Sequence, residues 1–180
     1  CRAVPPGELI DRLNREFEAK RKAAESELSK IRQASGDDRV YQLTSVDQLL
    51  ERARAMLGAA RRAALLDLFP QAFQLLSHDL ERAAKRGVKV AVRAYAPVDI
   101  KGLDVILTRE GERILAAWPG EHMSIAVDAD QFLIALLSKD TRVVHQAIWS
   151  NSTLLSCLHY NALHVELVLT AEQKNGRRPA

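Results

Sequence analysis

A few side chains in this 180-residue chain could do acid–base or nucleophilic chemistry, and one group of them lies close together in sequence. Glu121 and His122 are adjacent, and Asp128 follows them after a short apolar run. An imidazole near carboxylates can act as a general base or as a nucleophile, and the same groups can hold a polar ligand. Whether these three residues form a site depends on the groups that accompany them and on their spacing.

The other candidate residues indicate structure more than chemistry. His159 and His164 stand at a helical spacing that places them on different faces, so they do not predict a metal pair. His145 lies within a predicted strand and is interpreted as a structural histidine. Ser124 and Ser156 have no base beside them in the sequence. We predict no metal site and no cofactor.

One candidate ligand site lies where a predicted strand passes into the last helix. Its residues are Trp149, Ser150, Asn151 and Ser152. In open α/β sheets, ligands bind beyond the carboxyl ends of strands and beside the free N–H groups of helix N-termini. Arg93 and Tyr95 end another predicted strand and are expected to line the same crevice, which suits a polyhydroxylated or anionic small molecule. The alternative is that the serines and Asn151 are ordinary caps, Trp149 is core and Arg93 is a surface charge.

Composition excludes several classes of function. The 26 basic and 23 acidic residues leave a net charge of +3, which is too balanced to indicate nucleic-acid binding by this chain. No apolar run approaches the roughly 20 residues of a transmembrane helix, and no signal peptide opens the chain. The two cysteines, Cys1 and Cys157, have no metal spacing, which suits a reducing cytoplasm. Because the first residue is cysteine, we expect a fragment of a longer protein.

The first part of the chain predicts one long helix, from about residue 6 to residue 34. Its apolar residues follow a coiled-coil spacing with a weak position at Lys20. These residues are Ile10, Leu13, Phe17, Ala24, Leu28 and Ile31. Because the other faces are charged, we expect the helix to pair with a second copy; the alternative is packing on its own domain. The segment Ser-Gly-Asp-Asp at 35–38 predicts a boundary between a linker and dimerisation helix, 1–36, and a second domain, 37–180.

The first half of that second domain alternates between strand and helix patterns. Strands are predicted at 40–43, 63–69 and 88–94, with helices at 46–58 and 70–86 between them. Ser45 with Gln48 forms a capping box at the start of the first of these helices. This order predicts a parallel or mixed sheet with right-handed crossovers.

The second half of the domain predicts a strand near Val105, a short helix at 114–118 and three further strands. These strands are predicted at 124–127, 131–137 and 142–149, joined by turns at 128–130 and 139–140. The last helix runs to about Thr170. Its inward-facing residues are predicted to be Leu154, Leu155, Leu158, Ala162 and Val165. The predicted fold class is therefore α/β, a mixed sheet flanked by helices behind a long coiled-coil helix.

Three stretches resemble the TrmB family of transcriptional regulators. Residues 3–13 (AVPPGELIDRL) are similar to the start of the linker helix that follows a winged helix-turn-helix in that family. Residues 84–90 (AKRGVKV) resemble a helix-to-strand step in its phospholipase D-like sensor domain, and residues 147–151 (AIWSN) resemble its closing segment. The resemblance implies a phospholipase D-like fold, a homodimer, a small-molecule effector such as a sugar, and control of transcription. It also implies that DNA is bound by an N-terminal domain absent from these residues.

Phospholipase D-like enzymes need a His-x-Lys-x4-Asp motif, in which histidine attacks phosphorus and lysine holds the phosphate oxygens. One alignment places Glu121, Met123 and Asp128 at these positions, and a shift of one residue places His122, Ser124 and Ala129 there. Neither alignment supplies both the nucleophile and the cation. We therefore expect a ligand-sensing and dimerisation region that is not an enzyme. The alternatives are an assembly module without a ligand and a phosphodiesterase or nuclease. Because Glu121, His122 and Asp128 lie where the active site of such an enzyme would be, the resemblance implies that they form a second candidate ligand-binding site.

Overall fold

The computed structural model describes residues 5–30, 39–98 and 100–174, and its contacts divide the chain into two units, residues 1–37 and 38–180. Helix α1 (Pro6–Lys30) belongs to the first unit. The second unit holds, in chain order, β1 (Val40–Gln42), α2 (Val46–Ala59), β2 (Ala63–Leu68), α3 (Pro70–Lys85), β3 (Lys89–Ala94), β4 (Asp104–Leu107), α4 (Gly111–Ala117), β5 (Glu121–Val127), β6 (Gln131–Leu137), β7 (Val144–Ser150) and α5 (Thr153–Lys174). No described helix combines the length and the apolar composition needed to cross a membrane.

Helix α1 corresponds to the predicted long helix. The apolar residues of its seam that the structure describes are exposed to solvent within this unit. The exposed fractions are 57% for Ile10, 52% for Leu13 and 65% for Phe17. Ala24 is exposed as well, whereas the side chain of Leu28 and all of Ile31 lie outside the described residues. An apolar stripe of this kind favours a second surface that covers it.

The seven strands of the second unit form one mixed sheet in the order β1-β7-β6-β5-β2-β3-β4. Strands β2, β3 and β4 run parallel, and the other neighbouring pairs are antiparallel. At the start of α2 the Ser45 hydroxyl accepts the N–H of Gln48 at 3.2 Å, which is the predicted cap. The prediction of a mixed α/β sheet flanked by helices is confirmed.

Helices α2 and α3 cover one face of this sheet and bury the main apolar core against it. Leu49, Leu66, Leu76, Leu80 and Ile125 are all fully buried there. Strands β2 and β5 supply their alternate residues to this face, so their remaining residues must point to the other one.

The prediction for the inward face of α5 was wrong. Leu154, Leu158 and Val165 are 68%, 58% and 54% exposed, Ala162 is exposed and Leu155 is half-buried. The residues that face the sheet are Ser156, His159, Leu163, Glu166, Leu167 and Thr170. Since this helix is apolar on more than one side, periodicity alone could not show which side faces the sheet. The sheet surface beneath the helix is partly polar, so it favours the helix face that carries both polar and apolar residues.

Two element boundaries differ from the prediction in ways that shape the candidate site. Strand β5 begins at Glu121, three residues before the predicted start, so His122 lies within the sheet. Helix α4 begins at Gly111 and not at residue 114. A Cβ atom at Gly111 would lie 2.4 Å from the backbone oxygen of Tyr95, so only glycine lets this helix start so close to the end of β3.

Candidate functional site

A row of polar side chains crosses three neighbouring strands on the face covered by α5. In the register of the sheet, Arg93 of β3 lies opposite Asp67 of β2, and Asp67 lies opposite Ser124 of β5. Side chains that are directly opposite in adjacent strands point to the same face, so these three lie side by side. Ile106 and Ile134 continue the row at its two ends. A short polar patch is thus set into an apolar sheet surface.

An aromatic group lies two residues further along the same strands. It contains Phe69, Tyr95 and His122, and the N–H of Phe69 donates to the backbone oxygen of His122 at 3.0 Å. The ring centroid of Phe69 is 4.6 Å from that of Tyr95 and 5.7 Å from that of His122. Trp118, which follows α4, lies 5.2 Å from the His122 ring. The carboxyl ends of β2 and β3 therefore face an aromatic wall.

Helix α5 packs over both rows and leaves a partly open cavity of about 380 Å³ between itself, the sheet and α4. His159, Leu163 and Glu166 share one helix face because they are spaced by four and three residues, and all three line the cavity. This volume suits a small molecule. A wider depression of about 510 Å³ follows residues 107–113, but the charged side chains there are exposed and face bulk water.

Asp67, which is buried, and Arg93, which is partly buried, form an ion pair in the lining of the cavity. Arg93 Nη1 lies 3.2 Å from Asp67 Oδ2 and 3.3 Å from Glu166 Oε2, and the Tyr95 hydroxyl donates to the same Asp67 oxygen at 3.2 Å. Burial raises the pKa of Asp67, and Arg93 and Tyr95 offset only part of that rise. Asp67 Oδ1 and Arg93 Nε are buried and have no hydrogen-bond partner among the described residues. The pair therefore keeps one acceptor and one donor for a ligand.

His122 contributes an uncharged imidazole to the aromatic wall. Burial lowers the pKa of His122 to about 4. Smaller effects come from the charge of Glu166, which raises this pKa, and from the charge of Arg93, which lowers it. At neutral pH this ring can donate or accept one hydrogen bond without adding charge to the cavity.

The structure also brings together a serine and a histidine that are far apart in sequence. Ser124 Oγ lies 2.8 Å from His159 Nε2, and burial lowers the pKa of His159. Such a pair is the activated nucleophile of many hydrolases. However, Ser124 lies in the middle of β5, which pairs on both sides, so the nearby N–H groups serve the sheet and form no oxyanion hole. The geometry suits hydrogen bonding to a ligand better than acyl transfer.

Three residues from the two sites predicted from sequence meet in this cavity, namely Arg93, Tyr95 and His122. The carboxylates of Glu121 and Asp128 instead accept hydrogen bonds from backbone N–H groups. Glu121 Oε2 accepts the N–H groups of Gln71 at 3.0 Å and Ala72 at 3.4 Å, at the start of α3. Both oxygens of Asp128 accept backbone N–H groups from residues 61–63, each at 2.8 Å.

The segment 149–152 does not line the cavity. Trp149 packs on the opposite face of the sheet, where the Arg52 guanidinium lies 3.8 Å above its ring. The Ser150 hydroxyl donates to a backbone oxygen before β1 at 2.8 Å and accepts the N–H of Ser152 at 3.0 Å. These contacts are those of an ordinary strand end and helix start.

The sequence interpretation missed Asp67, Ser124, His159 and Glu166 as cavity residues. Asp67 carried a signal, because it is the one charge in the apolar run of β2. Ser124 carried a weaker one, as a polar residue in the apolar second half of β5. His159 and Glu166 could be found only once the orientation of α5 was known.

The comparisons with known proteins agree with the resemblance seen in the sequence. The family model described as "Transcriptional regulator TrmB, EBD N-terminal subdomain" matches residues 39–161. The uncharacterized protein YrhO of Bacillus subtilis (strain 168) is 24% identical over 136 residues, which are 75% of this chain and 50% of that protein. The chain thus spans about half the length of the curated relative that it matches.

Several solved structures are similar. NucT from Helicobacter pylori has a TM-score of 0.55 at 8% identity and covers 74% of this chain and 98% of that one. TrmBL2, described as an archaeal chromatin protein with a novel mode of DNA binding, has a TM-score of 0.48 at 18% identity, covering 89% and 65%. Nuc from Salmonella typhimurium, a phospholipase D family member, has a TM-score of 0.45 at 14% identity, covering 71% and 93%. The likeness to NucT shows the fold alone. Because the family model matches more than half of its length, the chain belongs to the TrmB family of transcriptional regulators.

Proposed function

We propose that this chain is the effector-sensing and dimer-forming part of a TrmB-type regulator, and that the cavity beneath α5 is its effector site. The observation that carries the proposal is the polar pair Asp67–Arg93, in which one buried atom of each side chain has no hydrogen-bond partner among the described residues, beside an aromatic wall. Buried polar atoms without partners cost free energy, which a ligand that pairs with them recovers. A small molecule rich in hydroxyl groups, such as a sugar, fits this requirement.

We further propose that the cavity recognises its ligand without catalysis. Met123 occupies the position of the phosphate-binding lysine in the first alignment and is buried in the core on the other face of the sheet. Arg93 is the one cation among the described residues that line the cavity, and two carboxylates already engage it. Bis(p-nitrophenyl) phosphate should therefore show no turnover. Hydrolysis that Ser124→Ala or His159→Gln abolishes would refute this part of the proposal.

The effector proposal predicts stabilisation by a ligand at one defined place. A ligand at about 100 times its Kd should raise the free energy of unfolding by about 2.7 kcal/mol, which a thermal-shift screen of mono- and disaccharides detects. Ala162→Phe places a ring at the mouth of the cavity from an exposed position and should abolish this shift. Ala55→Phe, at an exposed position of α2, is the matched control and should keep it. A shift that survives Ala162→Phe would place the effector elsewhere.

Dimerisation is proposed to use the seam of α1, whose described apolar residues are exposed within their own unit. Phe17→Glu puts a charge into this seam and should convert the dimer into a 20.0 kDa monomer, as measured by light scattering at micromolar concentration. Arg15→Glu adds the same side chain off the seam and should leave the dimer intact. A wild-type chain that scatters as a monomer would refute the pairing.

In this proposal, effector binding shifts the relative placement of two subunits, and α1 passes the change to a DNA-binding domain outside these 180 residues. The proposed location of such a regulator is the cytoplasm, in keeping with its proposed role in transcription.

A further inference from the structure

We propose that the effector carries a protonated primary amine in addition to hydroxyl groups, as an amino sugar does. This inference rests on the proposed function, since it specifies what the same cavity binds.

The charges that line the cavity favour a cationic ligand group. Asp67 and Glu166 supply two negative charges, whereas Arg93 supplies one positive charge to both. His122 and His159 add no charge at neutral pH, because burial lowers the pKa of both rings. The described lining therefore has one negative charge in excess, in a setting that is partly closed to water. A buried carboxylate of this kind is stabilised by a second cation.

The unpaired atoms favour a ligand that offers an N–H donor and a nearby acceptor. Asp67 is only 5% exposed, and its Oδ1 can be satisfied only by a donor. Arg93 Nε can be satisfied only by an acceptor, and it belongs to the side chain that already binds Asp67 Oδ2. An ammonium group beside a hydroxyl meets both needs, the ammonium at Asp67 and the hydroxyl oxygen at Arg93. Glu166 is half exposed and can take a further N–H of the same ammonium.

The wall of the cavity suits the rest of such a molecule. The packed rings of Phe69, Tyr95 and Trp118 line the cavity beside the carboxylates, and Trp118 is the most exposed of the three. Aromatic faces attract cations and pack on the C–H surface of sugar rings. Ser124 and His159 lie at the other end of the polar row and can bind additional hydroxyl groups.

The test compares amine and neutral members of matched sugar pairs on the intact chain at pH 7. Calorimetry measures affinity for glucosamine against glucose and for galactosamine against galactose, and the imidazole NMR signals of His122 and His159 report on the cavity. We expect at least one amine to bind about 10-fold more tightly than its neutral partner. N-acetylation, which removes the charge, should abolish that advantage. Glu166→Gln should weaken amine binding several-fold and reduce the advantage of the amine over its neutral partner. Glu172→Gln makes the same change on α5 outside the cavity and should have no effect.

The outcomes separate this inference from the proposed function. If neutral sugars shift the His122 and His159 signals and the amines bind no more tightly, the amine inference is overturned and the sensing function stands. If no pair perturbs these signals, the inference is also overturned, and the metabolite screen with Ala162→Phe decides the proposed function independently. If the amine advantage persists in Glu166→Gln but is lost in Glu172→Gln, it reflects general attraction to an acidic surface, and the site is refuted.

Discussion

The variant Arg93→Met should lower the free energy of unfolding by about 3 kcal/mol at pH 7, because it leaves the Asp67 carboxylate buried without its cation. Urea denaturation measures the loss. Arg113→Met removes an arginine from an exposed pair with Glu110 and should cost less than about 0.5 kcal/mol, since surface ion pairs contribute little. Similar losses for the two variants would show that the Arg93 pair is not a buried interaction.

The double variant Asp67→Leu/Arg93→Met should recover most of this loss. Removing both partners of a buried ion pair is often neutral or stabilising, because no uncompensated charge remains. A double variant that is less stable than Arg93→Met would mean that the polar row holds the fold together in ways that apolar packing cannot replace.

The cost of Arg93→Met should also depend on pH. Burial already raises the pKa of Asp67, and loss of the guanidinium should raise it further. A carboxyl whose folded pKa exceeds its unfolded value adds stability that is fully present below the unfolded pKa of about 4 and is lost as pH rises through the folded pKa. The deficit of the variant should therefore be small near pH 4 and grow toward neutral pH.

Asp128→Ala should lower the free energy of unfolding by about 3 kcal/mol, the second large effect that we expect. Both oxygens of this carboxylate accept backbone N–H groups of residues 61–63 at 2.8 Å, and hydrogen bonds to charged groups contribute about 1.5–3 kcal/mol each. Alanine also tolerates the positive φ of 54° at this turn less well than aspartate does. Thermal and urea unfolding at pH 7 measure the effect.

Two further variants of this turn test the cause. Asp128→Asn keeps one oxygen and suits the left-handed backbone, so it should cost less than Asp128→Ala. Asp130→Ala changes an exposed aspartate of the same turn and should be close to neutral.

The backbone N–H groups hold the pKa of Asp128 below its usual value despite its burial, so its stabilising effect is present above about pH 4 and declines as pH falls. A neutral Asp128→Ala would restore this residue as a candidate ligand group.

Asp128 and Glu121 were predicted from the sequence to bind a ligand, but in the fold they bind backbone N–H groups. Glu121 is next to His122 and Asp128 follows it after a short apolar run, which is also the pattern of a catalytic strand and turn. In three dimensions they lie at opposite ends of β5, and each meets a set of free backbone N–H groups. A carboxylate near such donors binds them first, because they are fixed and need no further ordering.

The sequence by itself determined the elements of this protein and the class to which it belongs. Short-range patterns such as the apolar seam of α1, the alternation of β3, the Ser45 cap of α2 and the proline at the start of α3 depend on neighbours in the chain, so local physics specifies them. The tertiary structure alone decided which polar residues meet. Asp67, Arg93, Ser124 and His159 are separated by many residues, and only the strand order and the rotation of α5 bring them together. The rotation could not be read from periodicity, because α5 is apolar on several sides and the surface that it covers comes from strands far away in sequence.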